Sequence, residues 1–250
     1  MEKVGFLGAC DKNSLLMYVA KALTVMQKKV LVVDSTIEQK TRYILPAINP
    51  TKSYLIEFDN IDFSVGFHNL EDICEYLGVK DKSFSQINET ANGGFLKQVQ
   101  SNNMVENLPY DYVLINVDSP EGLGDFGIED AYRNYFVTTF DMYSLKKGVD
   151  ILFGIQNPLK VTKVLYNFDM RNENEEYLDY LSVDCKTIWN DTSVYLPRTV
   201  EDEEVIEENQ RVFKIRIKKL SAEYQEGIMY IAQDILNEGS ISKIRKSIKE

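Results

Sequence analysis

Histidine and cysteine are scarce in this sequence. His68 is the single histidine among 250 residues, which leaves little room for a histidine-rich metal site or a Ser-His-Asp triad. Cys10, Cys74 and Cys185 are odd in number and far apart, which fits neither a disulfide framework nor a zinc-binding cluster. We therefore expect free thiols, a reducing compartment and no metal site built from these side chains.

Long apolar runs and an excess of basic charge are also missing. No run approaches the roughly 20 residues of a membrane span, and the first residues lack the order of a secretory signal. The chain has 28 Lys and Arg against 39 Asp and Glu, a net charge of -11 at pH 7. A strongly acidic chain repels nucleic-acid phosphates. We expect a cytoplasmic protein without general affinity for nucleic acid.

Apolar runs typical of buried strands alternate with helical patterns along most of the chain. Predicted strands span residues 4–7, 30–34, 54–58, 63–67, 111–118, 135–139, 161–166 and 187–196, and predicted helices span 12–27, 70–77, 144–155, 173–181 and 222–236. This alternation predicts a three-layer, doubly wound α/β domain with a mainly parallel sheet. We expect one domain over residues 1–238 and a basic amphipathic tail over 239–250. Residues 80–94 and 119–127 read as loops, and 211–220 fits either a helix or a strand.

The most informative stretch is Gly8-Ala9-Cys10-Asp11-Lys12-Asn13-Ser14, which lies between the first strand and the first helix. Backbone N–H groups in such a loop converge with a helix N-terminus on an anion, as in phosphate-binding loops. Asp11 opposes this use, because two like charges about 4 Å apart repel by roughly 4 kcal/mol at an effective dielectric near 20. Alternatively, Lys12 pairs with Asp11 and the loop is a turn without a ligand.

The order of these segments resembles the MinD/ParA family of P-loop ATPases, including the Tad-pilus localisation proteins. The resemblance rests on residues 4–8, 29–34, 110–116 and 138–145. It implies a P-loop NTPase-like fold, ATP and Mg²⁺ as ligands if the site survives, and a protein partner or a homodimer. The nucleotide-binding candidates that it implies are Gly8, Lys12, Ser14, Asp34 and Asp118.

The phosphate loop departs from the family motif Gly-Lys-Gly-Gly-Val-Gly-Lys-Thr-Thr when the motif is laid over residues 6–14. Leu7 replaces the signature lysine that reaches a partner's nucleotide across a dimer. Asp11 replaces a glycine, and Asn13 replaces the threonine whose hydroxyl holds magnesium. An amide is a poorer magnesium ligand, although Ser14 would supply a hydroxyl after a shift of register.

Two strand ends depart from the family pattern as well. Thr36 stands where the family has the aspartate that positions the attacking water, and Asn116 stands where an aspartate orients the magnesium shell. Asp118 would point the same way as Asn116 along an extended strand and is a partial replacement. No catalytic residue and no metal ligand are therefore expected, and the site is interpreted as degenerate.

The end of the chain carries a basic amphipathic pattern. Ile241, Ile244 and Ile248 recur at helical spacing among lysines and an arginine, which resembles the membrane-targeting helix of MinD in position and character. Such a helix binds anionic membrane surfaces weakly, and a frayed solvated end is the alternative. The acidic run 201–208 favours a solvated face over a docking site.

Two functional hypotheses stay open. The favoured one is a degenerate MinD/ParA-like protein, a pseudo-ATPase with no required cofactor, that acts as a spatial organiser or assembly adaptor through protein contacts. The alternative is a slow Mg-dependent ATPase that uses Lys12, Ser14 and Asp118 to position a partition, pilus or secretion apparatus. The first is favoured because phosphoryl transfer depends on the positions that are altered.

Overall fold

The computed structural model describes residues 1–46, 52–79, 104–167, 175–237 and 245. These residues form nine strands of one sheet. The strands are β1 (Glu2–Leu7), β2 (Val30–Asp34), β3 (Tyr54–Phe58), β4 (Ile61–Val65), β5 (Tyr112–Val117), β6 (Arg133–Thr139), β7 (Leu159–Asn167), β8 (Thr187–Trp189) and β9 (Val194–Pro197).

The sheet is parallel except at one edge. Its order is β3-β4-β2-β5-β1-β6-β7-β8, and β9 also pairs with β7. Only the β3–β4 hairpin is antiparallel among the described pairs. The central strand β1 lies between β5 and β6, so the carboxyl ends of β1, β2, β5 and β6 meet at one edge. Ligands bind at such an edge in open α/β sheets.

Helices cover both faces of the sheet. They are α1 (Asn13–Val25), α2 (Thr41–Ile44), α3 (Leu70–Tyr76), α4 (Pro120–Asp125), α5 (Met142–Phe153), α6 (Glu176–Leu181), α7 (Val200–Arg211) and α8 (Ala222–Leu236). Buried side chains of α1 and α8 form one core with one face of the sheet, whereas those of α3, α4, α5 and α6 form a second core on the other face. The predicted three-layer, mainly parallel fold is therefore confirmed.

Three local predictions are wrong. The predicted loop 119–127 contains α4, because the Ser119 side chain accepts from the Gly122 N–H at 3.2 Å and Pro120 occupies the first turn. The predicted strand 187–196 is two strands, β8 and β9, which pair with different parts of β7. The second strand of the hairpin begins at Ile61, since the turn needs only Asp59 and Asn60, both at positive φ.

The ambiguous stretch 211–220 is neither a helix nor a strand over its length and contains a 3₁₀ turn at Ile217–Lys219. The acidic run forms most of α7, in which Asp202 is buried. The predicted loop 80–94 lies outside the described residues, as do Ile241, Ile244 and Ile248. No helix in the described ranges is long and apolar enough to cross a membrane.

Candidate functional site

The loop after β1 passes between the ends of β5 and β6. The Gly8 N–H donates to the Val117 carbonyl at 3.1 Å, and Gly8 has a φ of +136°. A Cβ atom on Gly8 would lie 2.0 Å from the Val137 carbonyl oxygen. Glycine is therefore required here because the backbone of β6 is in direct contact with the loop.

Lys12 is folded back over its own loop. Its side chain is only 1% exposed, and its Nζ donates to the Gly8 carbonyl at 2.6 Å. Burial lowers the pKa of Lys12, although Asp118, Asp34 and Asp11 oppose the shift. The ammonium group is thus held inside the loop by a backbone acceptor.

The predicted pairing of Asp11 with Lys12 is wrong, because Lys12 donates to the Gly8 carbonyl and Asp11 has other partners. One Asp11 oxygen accepts from the Asn13 N–H at 3.1 Å and from the Asn13 side-chain amide at 3.2 Å. The other lies 3.6 Å from Lys40 Nζ, on the loop after β2. Asp11 therefore shapes the entry to α1 and faces an exposed lysine.

A buried polar network lies beneath the loop. The Asn13 side-chain oxygen accepts from the Asn116 amide at 2.9 Å and from the Thr41 hydroxyl at 3.1 Å. The Asp34 carboxylate accepts from the Thr36 hydroxyl at 2.6 Å, the Thr36 N–H at 3.1 Å and the Thr41 N–H at 2.9 Å. These hydrogen bonds join the ends of β2 and β5 to the starts of α1 and α2.

Asn116 retains one unused group. Its Nδ2 donates to Asn13, but its Oδ1 is buried and has no hydrogen-bond partner among the described residues. Asp118 lies just beyond β5 and accepts from the Ile37 N–H at 3.0 Å. Burial raises the pKa of Asp118, and the Ile37 hydrogen bond and Lys12 oppose the shift. Asp118 thus anchors the loop after β2.

An open cleft of about 280 Å³ lies above this network. Asn13, Thr36, Asn116 and Asp118 line it, so residues from distant parts of the chain meet here. Its charged lining consists of three lysines and three carboxylates: Lys12, Lys40, Lys147, Asp11, Glu38 and Asp118. The cleft is therefore electrically mixed, in contrast to a purely basic phosphate pocket.

Two predicted site residues face elsewhere. Leu7 is fully buried in the core on the α5 side of the sheet. Ser14 accepts from the Gln210 side chain at 3.4 Å and lines a separate small crevice against α7. The Ser14 hydroxyl therefore does not take the place that Asn13 occupies in the cleft.

Comparisons with known proteins identify the fold. No protein-family model matches the sequence, and no curated protein matches it. Among solved structures, the MinC:MinD cell division protein complex of Aquifex aeolicus is 12% identical and covers 96% of this chain and 97% of its own, with a TM-score of 0.59. The chain has a MinD/ParA-like P-loop fold.

Two further structures share the MinD/ParA-like fold. A ParA family ATPase from Chlorobium tepidum TLS is 17% identical and covers 92% of this chain and 97% of its own, with a TM-score of 0.52. A plasmid partition protein from Borrelia burgdorferi B31 bound to AMPPNP is 12% identical and covers 95% of this chain and 99% of its own, with a TM-score of 0.55. These matches confirm the predicted P-loop NTPase-like fold.

Sequence reasoning missed several residues of the site in this MinD/ParA-like fold. Thr41 contacts both Asn13 and Asp34, but no local pattern distinguishes it from other helix-start threonines. Tyr143 and Lys147 line the cleft from the first turns of α5. Tyr143 and Lys147 are four residues apart, so they share one helix face, and they follow the carboxyl end of the parallel strand β6. This combination could have indicated them as site residues.

Proposed function

We propose that this protein is a non-hydrolysing member of the MinD/ParA-like fold that acts as a spatial organiser or assembly adaptor through protein contacts. The observation that carries the proposal is the hydrogen-bonded network of Asn13, Asn116, Thr41, Asp34 and Thr36. Groups that would act on Mg²⁺ or on the attacking water are replaced or engaged with one another.

The residues present do not fit a magnesium site. Mg²⁺ requires near-ideal octahedral oxygen ligands and favours carboxylates. The Asn13 oxygen already accepts two hydrogen bonds, and both Asp34 oxygens accept from Thr36 or Thr41. An ion at Asn13 would have to displace these donors, and Asn116 offers it an amide without negative charge.

The site also lacks other groups that ATP hydrolysis would need. The Leu7 side chain is an apolar part of the core, so it cannot supply a positive charge to another molecule. Thr36 uses its hydroxyl to donate to Asp34 and to accept from the Gln39 N–H at 3.1 Å. Stabilisation of transferred phosphate depends on preorganised charge, and the lysine of the phosphate loop, Lys12, already donates to the Gly8 carbonyl.

The rim of the cleft supports a role in protein contacts. Ile37 and Tyr143 line the opening and are 73% and 71% exposed, and Met142, which precedes Tyr143 in the chain, is also exposed. Grouped apolar and aromatic side chains on a surface favour protein–protein contact. This rim is the proposed contact surface for a protein partner or a second copy of the chain.

A slow Mg-dependent ATPase is the second candidate. Lys12 and the cleft favour it, because a lysine in a loop between a strand and a helix is a phosphate-binding arrangement. The AMPPNP bound to the similar partition protein points the same way. Under this hypothesis Lys12 would have to leave the Gly8 carbonyl to reach a phosphate.

Phosphate release and sedimentation velocity, each with and without Mg-ATP, test the proposal. We expect no phosphate release above that of the Lys12→Ala variant, and a sedimentation coefficient that Mg-ATP leaves unchanged. Lys147→Ala is the matched control, since Lys147 is an exposed lysine of the same cleft. Release that is lost in Lys12→Ala but kept in Lys147→Ala would show that the protein is an ATPase. A dimer that forms only with ATP would show that the cleft binds nucleotide and would also contradict the proposal.

A further inference from the structure

An exposed aromatic residue ends helix α7 in a conformation that favours glycine. Phe213 has a φ of +49°. Its N–H donates to the Gln210 carbonyl at 3.3 Å, and the Lys214 N–H donates to the Asn209 carbonyl at 3.0 Å. These two bonds form a Schellman motif, in which the left-handed position is usually glycine. A bulky side chain there is strained, and strain of this kind is concentrated at functional sites.

The residues around Phe213 hold it outward on a fixed support. Val212 is 45% exposed and Phe213 is 51% exposed; we call this pair the α7 tip. On one side, the Asn209 amide donates to the Tyr18 hydroxyl of α1 at 2.8 Å. On the other, the Ile215 N–H donates to Asp59 at 3.2 Å. The α7 tip is therefore an apolar projection whose base is bonded to two other elements.

Basic residues follow the α7 tip. Residues 211–219 contain five Lys and Arg and no acidic residue, in a chain with a net charge of -11. Glu208 forms ion pairs with two of the five. Lys214 and Lys218 are exposed and have no ion pair with any residue that the structure describes. The exposed carboxylates nearest before the tip, Glu204 and Glu207, lie on earlier turns of α7.

We propose that the α7 tip inserts Val212 and Phe213 into the surface of an anionic lipid bilayer, with Lys214 and Lys218 at the headgroups. A bilayer surface combines an apolar interior with negative charge, which matches an apolar pair beside cations. Valine offers no face for stacking on a base, so nucleic acid fits the pair less well. This inference does not depend on the nucleotide cleft, and it concerns residues other than the tail isoleucines.

Co-sedimentation with vesicles tests the proposal on the full chain. The probes are vesicles of phosphatidylcholine alone and vesicles with one third phosphatidylglycerol. We expect binding to the anionic vesicles only, and binding about tenfold weaker for Phe213→Gly, because an inserted aromatic ring is lost. Glycine accepts the backbone conformation of residue 213, so the thermal midpoint should not fall. Weaker binding of a normally folded variant therefore reports the contact itself.

Matched variants decide whether the tip is responsible. Phe153, at the end of α5, is 52% exposed, so Phe153→Ala should bind vesicles as the wild type does. The double change Lys214→Ser and Lys218→Ser should weaken binding to anionic vesicles. The proposal is wrong if the wild type does not bind anionic vesicles, if Phe213→Gly binds normally, or if Phe153→Ala weakens binding equally. It is also wrong if changing Ile241, Ile244 and Ile248 to serine abolishes binding while Phe213→Gly leaves it intact.

Discussion

The side-chain amide of Asn116 donates to the side-chain oxygen of Asn13 at 2.9 Å and joins the end of β5 to the first turn of α1. Both side chains are almost completely buried. An amide carries a donor and an acceptor, so two asparagines can satisfy each other where two acceptors would repel. This pair links the loop to the sheet edge through a buried hydrogen bond.

Replacing Asn116 by aspartate should destabilise the protein. The new carboxylate would face the Asn13 oxygen, which cannot turn away without losing its contacts with Thr41 and Asp11. We expect a loss of about 2–4 kcal/mol for Asn116→Asp and a smaller loss, about 1–2 kcal/mol, for Asn116→Ala. Urea unfolding measures both. The loss of stability in Asn116→Asp should become smaller as the pH falls and the new carboxylate is protonated. If Asn116→Asp were as stable as Asn116→Ala, that result would contradict the hydrogen bond to Asn13.

Replacing Gly8 by alanine should be strongly destabilising. The added Cβ would lie 2.0 Å from the Val137 carbonyl in a conformation that alanine rarely adopts. We expect a loss of about 3 kcal/mol or more in urea unfolding. Gly124→Ala is the control, because its Cβ meets nothing within 4 Å in helix α4, and it should gain up to about 1 kcal/mol. Equal changes of stability in Gly8→Ala and Gly124→Ala would contradict the close contact between Gly8 and the Val137 carbonyl.

Lys12 should make the free energy of unfolding depend on pH in the alkaline range. Burial lowers the pKa of Lys12 below its ordinary value of 10.5, so the unfolded chain binds more protons than the folded one in the range just below 10.5. This contribution makes wild-type stability rise with pH there. Lys12→Met removes it, so the stability of the variant relative to wild type should fall as the pH rises towards 10.5.

Urea unfolding at several pH values from about 7 upwards measures this difference. Lys147→Met is the control, since the Lys147 side chain is exposed. The relative stability of this control should stay constant over the same range. A constant difference for Lys12→Met as well would show that the Lys12 ammonium is not desolvated by folding.

Asp202 should be the most important carboxylate of the acidic helix. It is 1% exposed and accepts from the Ser221 N–H at 2.7 Å, the Ser221 hydroxyl at 2.8 Å and the Thr199 hydroxyl at 3.0 Å. It thereby joins the N-termini of α7 and α8. Asp202→Ala should cost about 2–4 kcal/mol in urea unfolding, whereas Glu204→Ala, on the exposed face, should change stability by less than about 0.5 kcal/mol. Similar losses for both would contradict this bridge.

The sequence predicts the fold well because buried strands and crossover helices leave strong apolar periodicity. Helix α8 has the predicted bounds, and β2 ends at the predicted Asp34. Predictions of short elements fail because helix caps and strand pairing determine where these elements form. Ser119 and Pro120 start α4 despite the glycines nearby. The break between β8 and β9 arises because both pair with β7, which no local pattern reveals.

The site is predictable in its backbone position but not in its contacts. Strand ends bring Asp34, Asn116 and the loop of Lys12 together, as parallel topology requires. The choice of Gly8 rather than Asp11 as the partner of Lys12 depends on three-dimensional loop geometry. The contact of Ser14 with Gln210 joins positions 196 residues apart, so sequence spacing gives no signal for it.

Under the proposed function, internal hydrogen bonds have replaced the magnesium-dependent nucleotide site. The most direct test of this proposal is equilibrium binding of labelled ATP with Mg²⁺ to the purified protein and to Lys12→Ala. We predict no binding to either at millimolar ATP. Micromolar affinity that requires Mg²⁺ and is abolished by Lys12→Ala would contradict the account.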